Sequence, residues 1–399
     1  MIASMKVARV IETFLPNITG PVNQAYKISL ELEKKNISSP VFTTYYNVKN
    51  VPDEEFINLV SVKRLAYARI MQYCISPGLG KALEESNAKK KIDIIHAHTY
   101  RSYQTEQGYQ FAKKHKIPFV LSTHGSLLGY DKFLKNKLVK MPYLVYDSLK
   151  RKLPAIDADA VVVNSKSEYE DAIKFGVDKK KIHIIPVGID TSLYEKTAEE
   201  KLIQKKDKNK ISLLSVARIS RNRNLELLIK AVKILKEKYP NKNIELNIIG
   251  KEIVNSGTDR TGYIGELKKL SKMLGVDERI SFRGEMKGDD LIRYYKNADI
   301  FVYTSLYENF GQPFLEAAAA GLPIISTHVG IALEIIKEGE TGYFIEYNTK
   351  DVCDKIALLF NRKKREEFGK KLQMIVKQKY DWNIIIKKYC ALYNSLLNK

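Results

Sequence analysis

The chain has 399 residues, 44% of them hydrophobic and 28% charged, which is too long for one ordinary core and predicts two domains of roughly 200 residues. No stretch approaches the ~20 apolar residues of a membrane span, and the start, MIASMKVARVIETFLP, has charges inside its apolar run and no small-residue cleavage site, so it reads as a first buried strand and not a signal peptide. The formal net charge of +21 divides into +10 over residues 1–192 and +11 over the rest, which excludes a basic tail and leaves nucleic acid, an anionic membrane, phosphate-bearing substrates or a merely lysine-rich surface to account for it.

In chain order the first half offers the apolar runs KVARVI (6–11), PVFTT (40–44), IDIIHAH (92–98), FVLSTHG (119–125), AVVVNS (160–165) and IHIIPVG (182–188). The second half offers ISLLSVAR (211–218), IELNIIG (244–250), RISFRG (279–284), DIFVYTS (299–305), PIISTHVG (323–330) and GYFIE (342–346). These short Val- and Ile-rich runs alternate with helix-length polar stretches, the pattern of parallel sheets covered on both faces. The rhythm breaks at 186–210, where a Pro-Val-Gly turn leads into a charged run, so the expected domains are 1–190 and 191–379. Cys74, Cys353 and Cys390 are far apart, fit no metal spacing and suit a reducing cytoplasm.

In doubly wound folds ligands bind beyond the carboxyl ends of the strands, and the strongest signal lies just after DIFVYTS, in LYENFGQPFLEAAAAGLPII (306–325). Glu308 and Glu316 stand eight residues apart with Gly311 and Pro313 between them. Pro313 suits the first turn of a helix, where no backbone donor is lost. Gly311 lets backbone N–H groups approach a ligand, and a glycine loop running into a helix N-terminus is a phosphate site. Glu308, ahead of the helix, can reach a sugar, while Glu316 can accept hydrogen bonds from two ribose hydroxyls.

This string resembles the Glu-x7-Glu signature of the family 4 retaining glycosyltransferases of GT-B fold. Further landmarks occur in order: FLPNITGPVNQAYKISLELEKK (14–35) resembles the N-terminal glycine loop and helix, VVVNSKSEYEDAIKFGVDKKKIHIIPVGID (161–190) the close of the acceptor domain, and SVARISRNRNLELLIKA (215–231) the opening of the donor domain. The resemblance implies an α/β protein of two Rossmann-like domains, their parallel sheets facing a central cleft, with a C-terminal helix at about 380–399 packing back on the first. It implies transfer of a hexose from a UDP- or GDP-sugar, with retention, to a glycan or lipid-linked acceptor of cell-surface polysaccharide or glycoconjugate synthesis.

By the same resemblance Arg218 and Arg223 clamp the donor diphosphate, Gly20 contacts it, and His124, in a His-Gly pair, stands close to the transferred sugar. Catalytic roles then fall to His124, Glu308, Arg218 and Arg223. Arg283, Gly284, Asn309, Phe310, Gly311, Gln312 and Glu316 join Gly20 and the two arginines as substrate contacts. Two departures stand out: Arg223 where the family usually has Lys, and Pro21 where a second glycine would offer an N–H. No metal and no cofactor is expected, the basic clamp neutralising the leaving group.

His96 and His98 read mainly as structural, with no third ligand evident, and Asp157 and Asp159 as a helix end and a strand start. The segment 130–156 interleaves Lys132, Lys135, Lys137, Lys140, Lys150, Arg151 and Lys152 with aromatic and aliphatic residues. That composition suits a helix on an anionic lipid surface, or equally an amphipathic helix with its apolar face on the core and solvated lysines outside. The expected place is the cytoplasm, peripheral at the inner face of the cell membrane. Two other readings stand beside the enzyme: an inactive GT-B binding protein, and a basic nucleic-acid-binding protein, against which the diffuse charge and the lack of a recognition motif weigh.

Overall fold

A computed structural model describes residues 5–70, 73–129, 137–150, 152–195, 210–252 and 262–398, the side chains of 137–139 excepted. The chain forms two compact units, Met1–Gly188 with Trp382–Lys399, and Ile189–Asp381. The breaks thus fall two residues from those read at 190 and 379, and the charged run 196–209 lies outside the described residues.

The first unit is built on an eight-stranded sheet. From edge to edge its strands are Ile182–Ile184, Ala160–Val163, Phe119–Ser122, Ile94–His98, Val7–Val10, Val41–Thr44, Val60–Leu65 and Glu54–Ile57. All neighbours are parallel except the last pair. The central strands are buried along their whole length, as Val- and Ile-rich runs covered on both faces must be. Two of the intervening helices, Tyr103–His115 and Lys166–Phe175, start at side-chain caps: Ser102 accepts from Thr105 N at 3.1 Å, and Ser165 from Glu168 N at 3.3 Å. The C-terminal helix Trp382–Leu397 belongs to this unit, burying Ile385, Ile386, Tyr389 and Tyr393 against Val7, Ile94, Val120 and Ala160. Where the chain leaves and re-enters, a Cβ on Gly188 would lie 2.5 Å from the Trp382 ring, so only glycine lets the two crossings meet.

The second unit is a six-stranded parallel sheet in the order Ile280–Phe282, Asn243–Ile249, Lys210–Val216, Ile300–Tyr303, Ile324–Ser326, Gly342–Phe344. Leu213, Leu246 and Val302 of the sheet pack with Leu228 and Val232 of the helix Leu225–Lys238 in its core. Each sheet reverses its winding beside its first strand: between Val7–Val10 and Ile94–His98 in the first unit, and between Lys210–Val216 and Ile300–Tyr303 in the second. The crevice beyond the carboxyl ends at such a switch point is where ligands bind.

Candidate functional site

In the second unit the switch point is lined by two loops, one after Lys210–Val216 and one after Ile300–Tyr303. They are stitched together. Leu306 N donates to Asn222 O at 2.8 Å, Ser305 Oγ to Asn222 O at 3.0 Å, and Thr304 Oγ1 to Arg223 O at 2.9 Å. The first loop carries Arg218 and Arg223, the second Glu308, so these three expected site residues sit on one preassembled platform.

Glu308 is held from below. Its Oε2 accepts from the Tyr303 hydroxyl at 2.7 Å and from Arg223 Nη1 at 2.8 Å. Burial, and the Glu308 carboxylate, keep the Tyr303 phenol well above its ordinary pKa, so it remains a donor. Among the described residues Oε1 accepts only a long contact from Asn309 N, 3.3 Å, which leaves that oxygen the better placed to take a ligand hydroxyl.

Arg223, expected on the donor diphosphate, is paired with Glu308. It is 7% exposed, and Nη1 also donates to Ser305 Oγ at 2.8 Å and Tyr307 O at 2.7 Å. Nη1 thus meets the Glu308 carboxylate, the Ser305 hydroxyl and the Tyr307 carbonyl together and ties the acid to the loop that carries it. Arg218, by contrast, is exposed at the end of its strand. Arg221 is drawn to the surface by a two-pronged pair with Glu266, 2.8 Å to each oxygen.

The helix Gln312–Ala319 begins as the residue pattern predicts. Gly311 is its N-cap with φ 86°, Pro313 sits in the first turn, and Gly321 follows the end with φ 74°. A Cβ on Gly311 would lie 2.6 Å from the Phe314 ring and 3.0 Å from Glu308 Cγ, so the turn requires glycine for both conformation and space. Glu316, in the second turn, accepts from the Tyr295 hydroxyl through Oε2 at 2.7 Å. Burial pushes its carboxyl pKa up, partly offset by that hydrogen bond.

Four of these contributors escaped the reading of the residues. Tyr303 and Tyr295 set the two glutamates, Ser305 joins the loops, and Gly330 lets the loop after Ile324–Ser326 close on Phe310. There Ile331 N donates to Phe310 O at 2.7 Å, and a Cβ on Gly330 would lie 2.4 Å from that oxygen. A tyrosine ending a buried strand five residues before Glu308 was a usable signal; Tyr295 offered none. Arg283 and Gly284 follow the edge strand Ile280–Phe282, two strands away from Arg218. Arg283 Nε donates to Asn247 Oδ1 at 3.1 Å, and Gly284 O accepts from Gly250 N at 2.8 Å.

Gly20 and His124 belong to the first unit. Gly20 opens the helix Gly20–Glu33, capped by Thr19, with nothing within 4 Å of where a Cβ would stand. His124 follows Phe119–Ser122 with φ 48°, a left-handed conformation unusual for a non-glycine residue. It is partly exposed, yet enclosed enough that desolvation pulls its pKa down to about 3. His96 and His98 are fully buried, and Asp157 and Asp159 end a short helix and anchor a strand respectively, Asp159 accepting from Phe119 N at 2.8 Å.

Of the basic segment 130–156, residues 130–136 and 151 lie outside the described residues. The helix Lys137–Leu149 turns four aliphatic residues outward: Met141, Leu144, Val145 and Leu149 are 51, 50, 47 and 76% exposed. Inward it presents Asp147, paired with Arg101 at 2.6 Å, and Tyr146, whose hydroxyl donates to Glu106 at 2.7 Å. Tyr146 also packs on the core of the unit, its ring 5.7 Å from that of Tyr100, so the helix has an aromatic inner side as well as an aliphatic outer one. Among the described residues no helix is long and apolar enough to cross a membrane.

Comparisons with known proteins fit this geometry. Residues 18–193 match the profile described as Glycosyltransferase Family 4, and residues 196–374 that described as Glycosyl transferases group 1. An uncharacterized glycosyltransferase of Methanocaldococcus jannaschii is 27% identical over 98% of each chain. The alpha-monoglucosyldiacylglycerol synthase of Streptococcus pneumoniae is 27% identical over 81% of this chain and 71% of its own. In fold, the sucrose-phosphate synthase of Thermosynechococcus elongatus gives a TM-score of 0.79 at 21% identity, covering 99% of each chain. An Anabaena protein solved in complex with UDP and glucose gives 0.74 at 18% identity, covering 98% of this chain and 100% of that one.

Proposed function

The chain belongs to the family 4 glycosyltransferases of GT-B fold, and on that premise we propose that it transfers a hexose from a UDP- or GDP-sugar, with retention of configuration, to a glycan or lipid-linked acceptor. The observation that carries the donor reading is the platform at the switch point of the second unit: Arg218 exposed beside Glu308, the glycine-capped helix N-terminus, and Glu316 one turn further in. Phosphate suits the N-terminus and Arg218, a sugar hydroxyl suits Glu308 Oε1, and the ribose diol suits Glu316. The arginine and the helix dipole supply the charge neutralisation that a metal ion gives elsewhere, so the reaction proceeds without metal. His124 hydrogen-bonds a hydroxyl of the sugar.

Donor titration tests this reading. A UDP- or GDP-hexose at ~100 times its Kd should stabilise the protein by about 2.7 kcal/mol in thermal unfolding. Glu316→Ala should weaken donor binding by about 1.5–3 kcal/mol, because the ribose hydroxyls lose a charged acceptor. Since burial raises the Glu316 pKa, wild-type donor affinity should fall on acidification already above the ordinary carboxylate range of ~4.3. Unchanged affinity in the variant would remove the ribose assignment.

The acceptor side has its own support. The outward stripe Met141, Leu144, Val145 and Leu149, continued by Leu153 at 44% exposure, is flanked by Lys140 and by Lys150, the latter also paired with Glu106. Such a face suits shallow insertion into an anionic lipid surface, each nearby basic residue adding about 1 kcal/mol. We therefore read the acceptor as lipid-linked or membrane-bound, a chemistry to which the name of the Streptococcus pneumoniae relative, a glycolipid synthase, adds weight. In co-sedimentation the protein should bind anionic vesicles at low salt and release at high salt, and Leu144→Ser with Leu149→Ser should weaken the binding. Equal behaviour toward anionic and neutral vesicles at low salt would leave a small dissolved acceptor as the better choice.

A further inference from the structure

Beneath His124 lies a line of polar groups running into the core of the first unit. Arg9, on the central strand Val7–Val10, is fully buried. Its Nη1 lies 2.8 Å from His96 Nδ1 and 3.3 Å from His98 Nε2, its Nη2 donates to the Tyr393 hydroxyl at 3.2 Å, and its Nε to Ser29 Oγ at 2.7 Å. His98 Nδ1 in turn lies 2.9 Å from His124 Nε2. The rings of His98 and His124 are stacked with centroids 5.1 Å apart, and those of His96 and His98 with centroids 4.7 Å apart.

The direction of every bond in this line follows from one fact of chemistry. A guanidinium has five donors and no acceptor, and it keeps its proton in proteins. The nitrogens that face Arg9 must therefore accept. With Nδ1 accepting, its lone pair shared between Arg9 and the Tyr393 hydroxyl 2.7 Å away, His96 carries its proton on Nε2, and that nitrogen lies 2.8 Å from Ser122 Oγ, a partner able to accept it. With Nε2 accepting, His98 carries its proton on Nδ1 and donates to His124 Nε2. His124 Nε2 then holds a lone pair, and the one proton of the neutral ring is on Nδ1. Burial, with the nearby charges, holds His96 and His98 well below the ordinary imidazole range, so a second proton does not disturb the order.

We propose that Arg9, acting through His98, fixes the proton of His124 on Nδ1 and so makes His124 an obligate hydrogen-bond donor to a sugar oxygen. It is then not a base: its one lone pair is taken by His98, and it has no vacant nitrogen with which to accept a proton from an acceptor hydroxyl. The group recognised is an oxygen with lone pairs to offer, such as a sugar hydroxyl or a glycosidic oxygen. Arg9 and His98 are positioning residues; neither touches substrate. The sugar contact rests on the reading of His124 given above, whereas the proton placement does not.

The test is imidazole nitrogen NMR at neutral pH on the full chain with its six histidines labelled, His124 being assigned by its loss in His124→Asn. The wild type should show His124 protonated on Nδ1. His98→Leu, which removes the donor, should shift His124 toward the Nε2-protonated form that free histidine prefers. His98→Asn, whose amide N–H can stand in for Nδ1–H, should restore the wild-type signature, a rescue that general loosening of the core would not give. In parallel, His98→Leu should lower turnover about tenfold, the worth of one hydrogen bond, and His98→Asn should recover most of it. An Nε2-protonated His124 in the wild type, or no change of tautomer in His98→Leu, overturns the proposal. The expected tautomers with unaltered turnover in His98→Leu and His124→Asn would uphold the relay and remove only the sugar contact.

Discussion

Glu308→Ala is expected to lose both turnover and stability. The carboxylate takes two donors on Oε2, Tyr303 and Arg223, and the arginine is 7% exposed. Removing the acid leaves a buried guanidinium without its counter-charge, which costs about 3 kcal/mol. For the unit Ile189–Asp381, unfolding by itself, that is a fall of roughly 6–12 °C in Tm. Turnover should fall by about 10²-fold or more, as for loss of a preorganised group at the reacting centre. The two losses separate in a second variant. Glu308→Gln with Arg223→Met replaces the ion pair by neutral groups of similar size and should recover most of the stability while leaving turnover low. If turnover returned with stability, Glu308 would be a structural anchor and the sugar contact would have to be sought elsewhere.

Arg218→Ala should act almost wholly on the rate. The residue is exposed at the strand end, so its removal leaves no buried group unsatisfied and the Tm should hold. Negative charge on the leaving diphosphate is greatest in the transition state, and only interactions that strengthen there raise kcat. Loss of one such donor costs about 10²–10³-fold in kcat, with a smaller change in KM for the donor. Arg218→Lys should recover part of the rate, since charge remains but the paired N–H geometry does not. A normal kcat with a raised KM would make Arg218 a ground-state contact only. The contrast with Arg223 is informative: one arginine is free to meet a ligand, while the other builds the surface on which the ligand rests.

Much of the architecture was legible because fully buried parallel strands need continuous apolar runs. Ile94–His98, Ala160–Val163 and Ile300–Tyr303 lie inside runs that stand out as Val- and Ile-rich segments between polar stretches. The edge hairpin Glu54–Ile57 and Val60–Leu65 did not stand out. Val60–Leu65 alternates buried and part-exposed residues, with Val60 and Val62 inward, Glu54–Ile57 alternates exposed and part-exposed ones, and Asn58 at φ 52° makes the turn. A two-residue period with an Asn turn was there to be read, but no apolar run announced it. At the site, Gly311, Pro313 and the two glutamates were visible because local backbone chemistry fixes their spacing. The partners of those glutamates were not. Tyr295 reaches Glu316 from 21 residues away, and Arg223 reaches Glu308 from 85, across the switch point, where only the sheet order brings them together. Arg223 shows the limit most clearly, since the same basic residue after the same strand serves either a phosphate or a carboxylate according to which way it turns. For Lys137–Leu149 the composition alone left two orientations open, and the inward pairs of Asp147 and Tyr146 are what turn the apolar stripe to the surface.

Transfer of a hexose from a nucleotide sugar, with retention and without metal, can be followed in one reaction. The most direct measurement is proton NMR of the product formed from an α-linked UDP- or GDP-hexose in the presence of EDTA, with release of the nucleoside diphosphate followed in the same tube. The product should be α-linked and form at an undiminished rate, one diphosphate released per bond made. A β-linked product, or activity that EDTA abolishes and a divalent cation restores, would contradict retention or metal independence respectively.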